Sequence, residues 1–372
     1  MSSGAPAARR ATCAGRAMVV HGHGGAQPRA TRVTRYHRHS PADRDRAMTL
    51  PRTPARVVFL DRATLPDGIV LRPPGFEHTW IEHAQSREAD VAQRIVDADI
   101  VVTNKAPVRA AALAAAPHVK MVAIAATGYD VVDVAACTAR GIVVSNVRNY
   151  AVNTVPEHTF ALILALRRSV VAYRASVASG DWQRAGQFCY FDHPIRDLAG
   201  STLGVIGDGA LGQAVAALGR AFGMRTLYSS YKGVDGMGPL YTPFHDVLAQ
   251  SDVITLHCPL TPATRNMIAA PEFARMARRP LLVNTARGGL VDEQALADAL
   301  VTGRIAGAAF DVVTVEPPPP DHPFMRLLAR PDFILTPHVA WASHEAIQGL
   351  ADQLVDNIDA FARGAPRNVV GA

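Results

Sequence analysis

From Ala55 onward the chain alternates short apolar runs with longer amphipathic segments. "ARVVFLD", "ADIVVTN", "VKMVAIAA" and "GIVVSN" predict strands, and segments such as "READVAQRIVDA" between them predict helices. Alternation of this kind implies βαβ units and a parallel sheet. The stretch "NTVPEHTFALILALRRSVVAYRASVASG" predicts one long helix. Asn153 or Thr154 caps it, Pro156 sits in its first turn and Gly180 ends it.

A second series follows. "STLGVIG", "MRTLYSS", "DVITLHC", "PLLVNTA", "IAGAAFDVV" and "FILTPHV" predict strands that are nearly continuous in Val, Ile, Leu and Ala, as expected when helices cover both faces of a sheet. The chain closes with an amphipathic helix, "SHEAIQGLADQLVDNIDAFARG". The two series predict two βαβ lobes of different size. Because the second series is bracketed, the last helix is expected to return to the first lobe.

A length of 372 residues, 49% of them hydrophobic, fits two globular domains. No apolar run approaches the roughly 20 residues that span a bilayer. The formal charge of +6 would point to nucleic acid if it were spread over the molecule, but residues 1–50 hold nine Arg against two Asp, so the rest of the chain carries −1. That basic segment has no sustained period and lacks the apolar core of a secretory signal, so it is expected to be a disordered extension. Met48 directly precedes the first strand-like stretch. Neither a nucleic-acid nor a membrane partner is expected. Cys13, Cys137, Cys189 and Cys258 are scattered, with no CxxC pair and no His at ligand spacing, so they predict reduced thiols, a cytoplasmic setting and no metal.

Chemistry enters at "VIGDGALG". Gly207, Gly209 and Gly212 satisfy GxGxxG between a predicted strand and helix, with Ala210 and Leu211 completing the turn. The glycines allow a tight turn, close approach to a pyrophosphate and close helix–strand packing, and the helix N-terminus offers N–H groups to phosphates. A carboxylate usually follows about 20 residues on and holds the adenosine ribose. Here the corresponding stretch is "LYSSYKG". Ser230 is expected to bond a ribose oxygen or a phosphate, and Lys232 to pair with a 2′-phosphate, which would admit NADPH. The competing reading makes Ser230 a solvent-facing loop residue, with NAD bound without its usual anchor.

Three further strand ends carry charge. Arg287 ends "LLVNTARGGLVD", Asp311 and Glu316 lie in "AAFDVVTVEPP", and His338 lies in "ILTPHVAW". In open α/β sheets ligands bind beyond the carboxyl ends of the strands, so these groups converge on one edge with the glycine loop. The set suits hydride chemistry on a 2-keto acid. Arg287 grips the carboxylate or ketone oxygen, His338 exchanges the proton, and Glu316 holds the imidazole's orientation and favours its protonated form. Asp311 would meet the nicotinamide end of the cofactor. Trp341 is a candidate pocket wall or a packing residue.

With these residues and the motifs "HCPLTPATRNMI" and "NTARGGLVDE", the chain from about residue 55 onward resembles the D-2-hydroxyacid dehydrogenase family. "AATGYDVVDVAAC", "RNYAVNTVPEHTFALILALRRS" and "QFCYFDHPIRDL" make it most similar to the glycerate dehydrogenase (hydroxypyruvate reductase) branch. The resemblance implies an α/β fold of two Rossmann-like lobes around a cleft. A flavodoxin-like substrate lobe comprises 55–150 plus 339–372, an NAD(P)-binding lobe comprises 151–338, and residues 1–54 form the extension. It implies Arg287, Glu316 and His338 as the catalytic set. Backbone N–H groups at Ala126, Thr127 and Gly128 would hold the substrate carboxylate, and Cys258, Pro259, Thr285, Ala286 and Asp311 would line NAD or NADP. It further implies a homodimer that converts hydroxypyruvate to D-glycerate and back, with glyoxylate as a second substrate. Another D-2-hydroxyacid, or an NAD-sensing co-repressor role on the same fold, are the alternatives. Relatives in this branch tend to be acidic where Ser230 stands, and Glu316 argues against a formate dehydrogenase.

Overall fold

The structure, a computed structural model, describes residues 31–36, 50 and 52–371. The described chain divides into two compact units, one of residues up to Tyr150 together with those from His344, the other of Ala151–Ser343.

The first unit is built on six strands: β1 (Thr31–Tyr36), β2 (Ala55–Phe59), β3 (His78–His83), β4 (Ile100–Thr103), β5 (Met121–Ile124) and β6 (Val143–Ser145). They lie in the order β1-β3-β2-β4-β5-β6, all parallel except β1, which runs antiparallel to β3. Helices α1 (Glu88–Ile95), α2 (Ala110–Ala114) and α3 (Val134–Ala139) connect them, and Asp133 caps α3 by accepting from the Ala136 N–H at 2.9 Å. Val58, Val101 and Val122 on one sheet face join Val91 and Ile95 of α1 and Leu113 of α2 in a continuous core.

Two features of this unit depart from the sequence reading. β3, "HTWIEH", has the β-branched and aromatic residues of a strand but too many polar ones to stand out as an apolar run. β1 falls inside the basic extension. "TRVTRY" supplies Thr, Val and Tyr for a pleated strand, and its arginines remain exposed on the sheet edge, so basic composition and strand formation coexist here. Residues 1–30 and 37–49 of the expected disordered segment, with Cys13 and Met48, lie outside the described residues.

The second unit begins with α4 (Thr154–Arg167), α5 (Val170–Ala178) and α6 (Asp181–Ala185). The sequence predicted one helix where α4 and α5 stand. The chain breaks at Ser169, which is left-handed at φ 51°. At that break Arg167 donates to the Asp197 carbonyl, Arg168 pairs with the Asp197 carboxylate at 2.8 Å, and the Ser169 hydroxyl donates to the Pro194 carbonyl at 2.6 Å. Tertiary bonds to 194–197 thus replace helical continuity.

A Rossmann sheet follows: β7 (Thr202–Ile206), α7 (Ala210–Ala221), β8 (Arg225–Ser229), β9 (Tyr241–Thr242), α8 (Phe244–Gln250), β10 (Val253–Leu256), α9 (Ala270–Arg275), β11 (Leu281–Asn284), α10 (Glu293–Val301), β12 (Gly307–Phe310) and β13 (Phe333–Leu335). The strand order β13-β12-β11-β10-β7-β8-β9 is parallel throughout. The order reverses between β7 and β10, which creates the crevice where such sheets take ligands. Successive residues feed opposite faces: Leu203, Val205, Leu281 and Val283 pack with Phe160 and Ile163 of α4, while Ile254, Leu256 and Leu282 pack with Leu248 and Leu296. Two covered faces explain why these strands read as unbroken apolar runs.

The last helix, α11 (His344–Ala362), belongs to the first unit. Its Asn357 amide donates to the Asn146 carbonyl at 2.9 Å, and its Gln353 and the backbone of Arg148 exchange bonds. Among the described residues no helix is long and apolar enough to cross a membrane, and no cluster of His, Cys, Asp and Glu is arranged to hold a metal ion.

Candidate active site

The carboxyl ends of five neighbouring strands place the predicted chemistry on one sheet edge. Gly207 follows β7, His257 and Cys258 follow β10, Thr285 to Arg287 follow β11, Asp311 follows β12, and Thr336 to His338 follow β13. The ladder continues past the strands. His257 donates to the Ile206 carbonyl at 2.7 Å, Asp311 to Asn284 at 2.9 Å and Thr336 to Phe310 at 2.9 Å, so the functional segments leave the sheet in register.

His338 Nδ1 lies 2.7 Å from Glu316 Oε2. A carboxylate on Nδ1 fixes the ring and leaves Nε2 as the nitrogen available for proton exchange. Glu316 is itself tied to its loop, with Oε1 accepting from the Val313 N–H at 3.2 Å. The histidine side chain is 25% exposed and the glutamate 36%, so the pair is reachable from solvent while still oriented.

His338 is left-handed at φ 55°, unusual for a side chain of its size. Neighbours hold it there. The Asp311 carboxylate accepts from the Thr336 hydroxyl at 2.5 Å, the Val339 N–H at 3.0 Å and the Ala340 N–H at 2.8 Å, and Trp341 Nε1 donates to the His338 carbonyl at 2.9 Å. Asp311 is buried, and His158 Nε2 of α4 stands 3.7 Å from it and 3.2 Å from the Thr336 hydroxyl. Asp311, expected against the nicotinamide, therefore serves the histidine loop in this structure. Trp341, a candidate pocket wall or packing residue in the sequence, anchors the loop by this hydrogen bond. Neither His158 nor the Asp311 network was legible in the sequence, because both depend on contacts between distant segments.

Arg287 is half-buried, and its Nη1 donates to the adjacent Ala286 carbonyl at 2.7 Å. Asn284 shapes its turn, donating to the Arg287 carbonyl at 2.8 Å and accepting from the Ala286 N–H at 3.0 Å. The next residue, Gly288, approaches the Glu316 loop so closely that a Cβ would lie 2.1 Å from the Val313 carbonyl. Only a glycine lets the arginine turn and the glutamate loop meet.

The glycine loop fits a dinucleotide. A Cβ on Gly212 would lie 1.9 Å from the Gly207 carbonyl oxygen, which is the close helix–strand packing the motif requires. At Gly209 a Cβ would meet nothing within 4 Å, so the protein leaves open the space at the start of α7, beside Ala210 and Leu211, where a pyrophosphate approaches. Beside the loop, His257 Nδ1 is buried with no partner among the described residues, and burial pushes this imidazole down to about 4. Burial pushes the Cys258 thiol up to about 11, which disfavours the thiolate, and Pro259 beside it is exposed. Thr285 is buried, with its hydroxyl 2.9 Å from that of Thr159 in α4.

The two residues expected to replace the missing carboxylate are turned to other uses. Ser230 is 6% exposed, and its hydroxyl accepts from the Phe244 N–H at 3.1 Å, holding the start of α8. It is not a solvent-facing residue, and its hydroxyl is partly committed to α8. Lys232 pairs with Glu272 at 2.8 Å, donates to the Met267 carbonyl at 2.9 Å and lies 5.9 Å over the Phe244 ring. Its charge is neutralised by a carboxylate from α9, which corrects the expectation that it awaits a 2′-phosphate.

In the first unit, the Ala126 and Thr127 carbonyls accept from the Val147 N–H at 3.0 Å and the Asn146 amide at 2.7 Å. The backbone N–H groups of Ala126, Thr127 and Gly128 have no partner among the described residues, which is the state an anion-binding loop needs.

Residues 160–340 match the family model for the D-isomer specific 2-hydroxyacid dehydrogenase NAD binding domain. A glycerate dehydrogenase from Methylorubrum extorquens is 52% identical, over 85% of this chain and 99% of that protein. A hydroxypyruvate reductase from Blautia hydrogenotrophica is 38% identical, over 76% of this chain and 87% of its own. The solved structure of an NADPH-dependent glyoxylate/hydroxypyruvate reductase from Sinorhizobium meliloti, in complex with NADP and malonate, is similar with a TM-score of 0.73 at 30% identity, covering 86% of this chain and 97% of that one. The chain, with its Rossmann sheet and its Arg287, Glu316 and His338 on one edge, belongs to the D-isomer-specific 2-hydroxyacid dehydrogenase family of nicotinamide-dependent oxidoreductases.

Proposed function

We propose that this protein reduces hydroxypyruvate to D-glycerate and runs the reverse reaction, with glyoxylate to glycolate as a second reduction. The names of the relatives support this substrate class. The observation that carries it is the 2.7 Å His338–Glu316 pair on the sheet edge that also holds Arg287 and the glycine loop.

A bound dihydronicotinamide supplies the hydride. Arg287 holds the keto acid through its guanidinium fork, and the N–H groups of Ala126, Thr127 and Gly128 take its carboxylate. His338 gives the keto oxygen its proton from Nε2, and takes it back from the 2-hydroxyl in reverse. Glu316 keeps the ring in place and its positive charge balanced. Gly207, Gly209, Ala210, Leu211 and Gly212 receive the pyrophosphate, with Cys258, Pro259, Thr285 and Ala286 along the cofactor.

The protein acts as a cytoplasmic homodimer in this reading. Support for self-association comes from α6 and the segment after it, where Trp182, Phe188, Phe191 and Ile195 are 45%, 90%, 85% and 48% exposed. So many large apolar groups in one segment mark an interaction surface.

The test is steady-state oxidation of NADH and NADPH with hydroxypyruvate, glyoxylate and phenylpyruvate in parallel. Hydroxypyruvate giving the highest kcat/KM is the expected result. Turnover of none of the three, with cofactor still bound, would overturn the reading in favour of a sensor.

A further inference from the structure

With Ser230 and Lys232 engaged elsewhere, the position of the missing ribose carboxylate is open again. A carboxylate does stand there, and it comes from inside the glycine motif. Asp208, between Gly207 and Gly209, accepts a hydrogen bond at Oδ2 from the Tyr241 hydroxyl. Tyr241 opens β9, paired with Tyr228 of β8, while Asp208 leaves the end of β7 on the other side of β8. The Asp208–Tyr241 bond therefore spans the carboxyl end of β8, which is where the usual acidic residue would rise to meet the adenosine ribose.

Three observations fit this place to a ribose. Asp208 Oδ1 has no partner among the described residues and remains an acceptor. A cavity of about 300 Å³ opens at the same strand end, with Tyr241, Ser230, Asp235 and Gly236 among its walls and no Lys or Arg lining it. Gly209 beside Asp208 is open to an approaching ligand. The hydrogen bond also raises the pKa of the Tyr241 phenol above its ordinary value, so the tyrosine stays a donor that steadies the carboxylate.

We infer that Asp208, steadied by Tyr241, is the ribose anchor of this chain and makes it selective for NAD(H) over NADP(H). Its free oxygen accepts from a ribose hydroxyl, and its charge opposes a 2′-phosphate, which no Lys or Arg in the cavity wall offsets. This rests on the dehydrogenase reading only in taking the glycine loop as the dinucleotide site. Substrate identity does not enter.

Calorimetric binding of NAD+, NADP+, ADP-ribose and 2′-phospho-ADP-ribose to the full chain tests it without turnover. The unaltered protein is expected to bind NAD+ at least about tenfold more tightly than NADP+, and Asp208→Asn to shrink that ratio by about tenfold. Tyr241→Phe, which keeps the carboxylate, retains the preference. Equal binding of NAD+ and NADP+ by the unaltered protein overturns the inference even if the Asp208 variant does not fold. So does a ratio that Asp208→Asn leaves unchanged, or one that only Tyr241→Phe abolishes. Binding of neither nucleotide would instead sink the dinucleotide reading, whereas selective binding without hydroxypyruvate turnover would sink only the substrate.

Discussion

Trp341 Nε1 donates to the carbonyl of His338 at 2.9 Å, three residues back along the chain. His338, the proposed proton-exchanging residue, is left-handed, and this bond together with the Asp311 contacts holds it in that conformation. Trp341→Phe keeps the ring and deletes the donor. A net hydrogen bond is worth about 1 kcal/mol, so kcat should fall roughly threefold to tenfold. Nucleotide affinity, measured by fluorescence titration, should stay the same. A fall in affinity with intact kcat would show that the indole serves the cofactor instead.

His338→Ala removes the proposed proton donor and should lower kcat on the order of 100-fold to 10,000-fold. Glu316→Gln keeps a hydrogen-bond acceptor on Nδ1 but loses the charge, so a smaller loss, about tenfold to 100-fold, is expected. The acid limb of the pH–rate profile is the informative readout for the glutamine variant. An unchanged profile would mean that Glu316 only positions the ring.

Asp311→Asn places an amide where two backbone N–H groups and a hydroxyl donate. One of these donors, each at least partly buried, then loses its acceptor, at about 1–3 kcal/mol. Urea denaturation should show that loss, and kcat should fall with it because the His338 loop loosens. A variant of full stability would contradict the role assigned to this carboxylate.

Acid should destabilise the protein through His257 and His83, whose imidazoles burial pushes from 6.5 down to about 4. Both are depressed, so below pH 6.5 the unfolded chain takes up protons that the folded chain refuses until about pH 4. The stability they allow at neutral pH is lost across that window, by up to about 3 kcal/mol for His257. Thermal midpoints measured from pH 7 to pH 4 should therefore slope downward with acidification, and His257→Gln should flatten part of that slope. A parallel slope in the variant would remove His257 as a cause.

The central strands were legible because both sheet faces are covered, which writes β7, β10, β11 and β12 as unbroken apolar runs. The glycine loop and the charged strand ends were legible because the parallel order puts every carboxyl end on one edge. What stayed hidden depends on distant partners. Nothing in "SSYKG" shows that Glu272 neutralises Lys232 or that Phe244 uses the Ser230 hydroxyl. The break at Ser169 depends on Asp197 and Pro194, and a two-residue strand such as β9 leaves no period to read.

In the first unit's sheet both outer strands of the parallel part, β3 and β6, are covered by further chain. On one side β1 pairs along all of β3. On the other, Val370 donates to the Val144 carbonyl at 2.8 Å, Asn146 donates to Asn368 at 3.2 Å, and the Ser145 hydroxyl reaches Arg367 at 2.8 Å. Segments from near opposite ends of the polypeptide thus cover those two strands, and β1 then stands at the sheet edge with its arginines exposed, a charged rim that discourages edge-to-edge stacking. Trimming either segment would uncover a ladder able to recruit a neighbouring molecule, so the basic stretch around "TRVTRY" guards solubility as much as it adds charge.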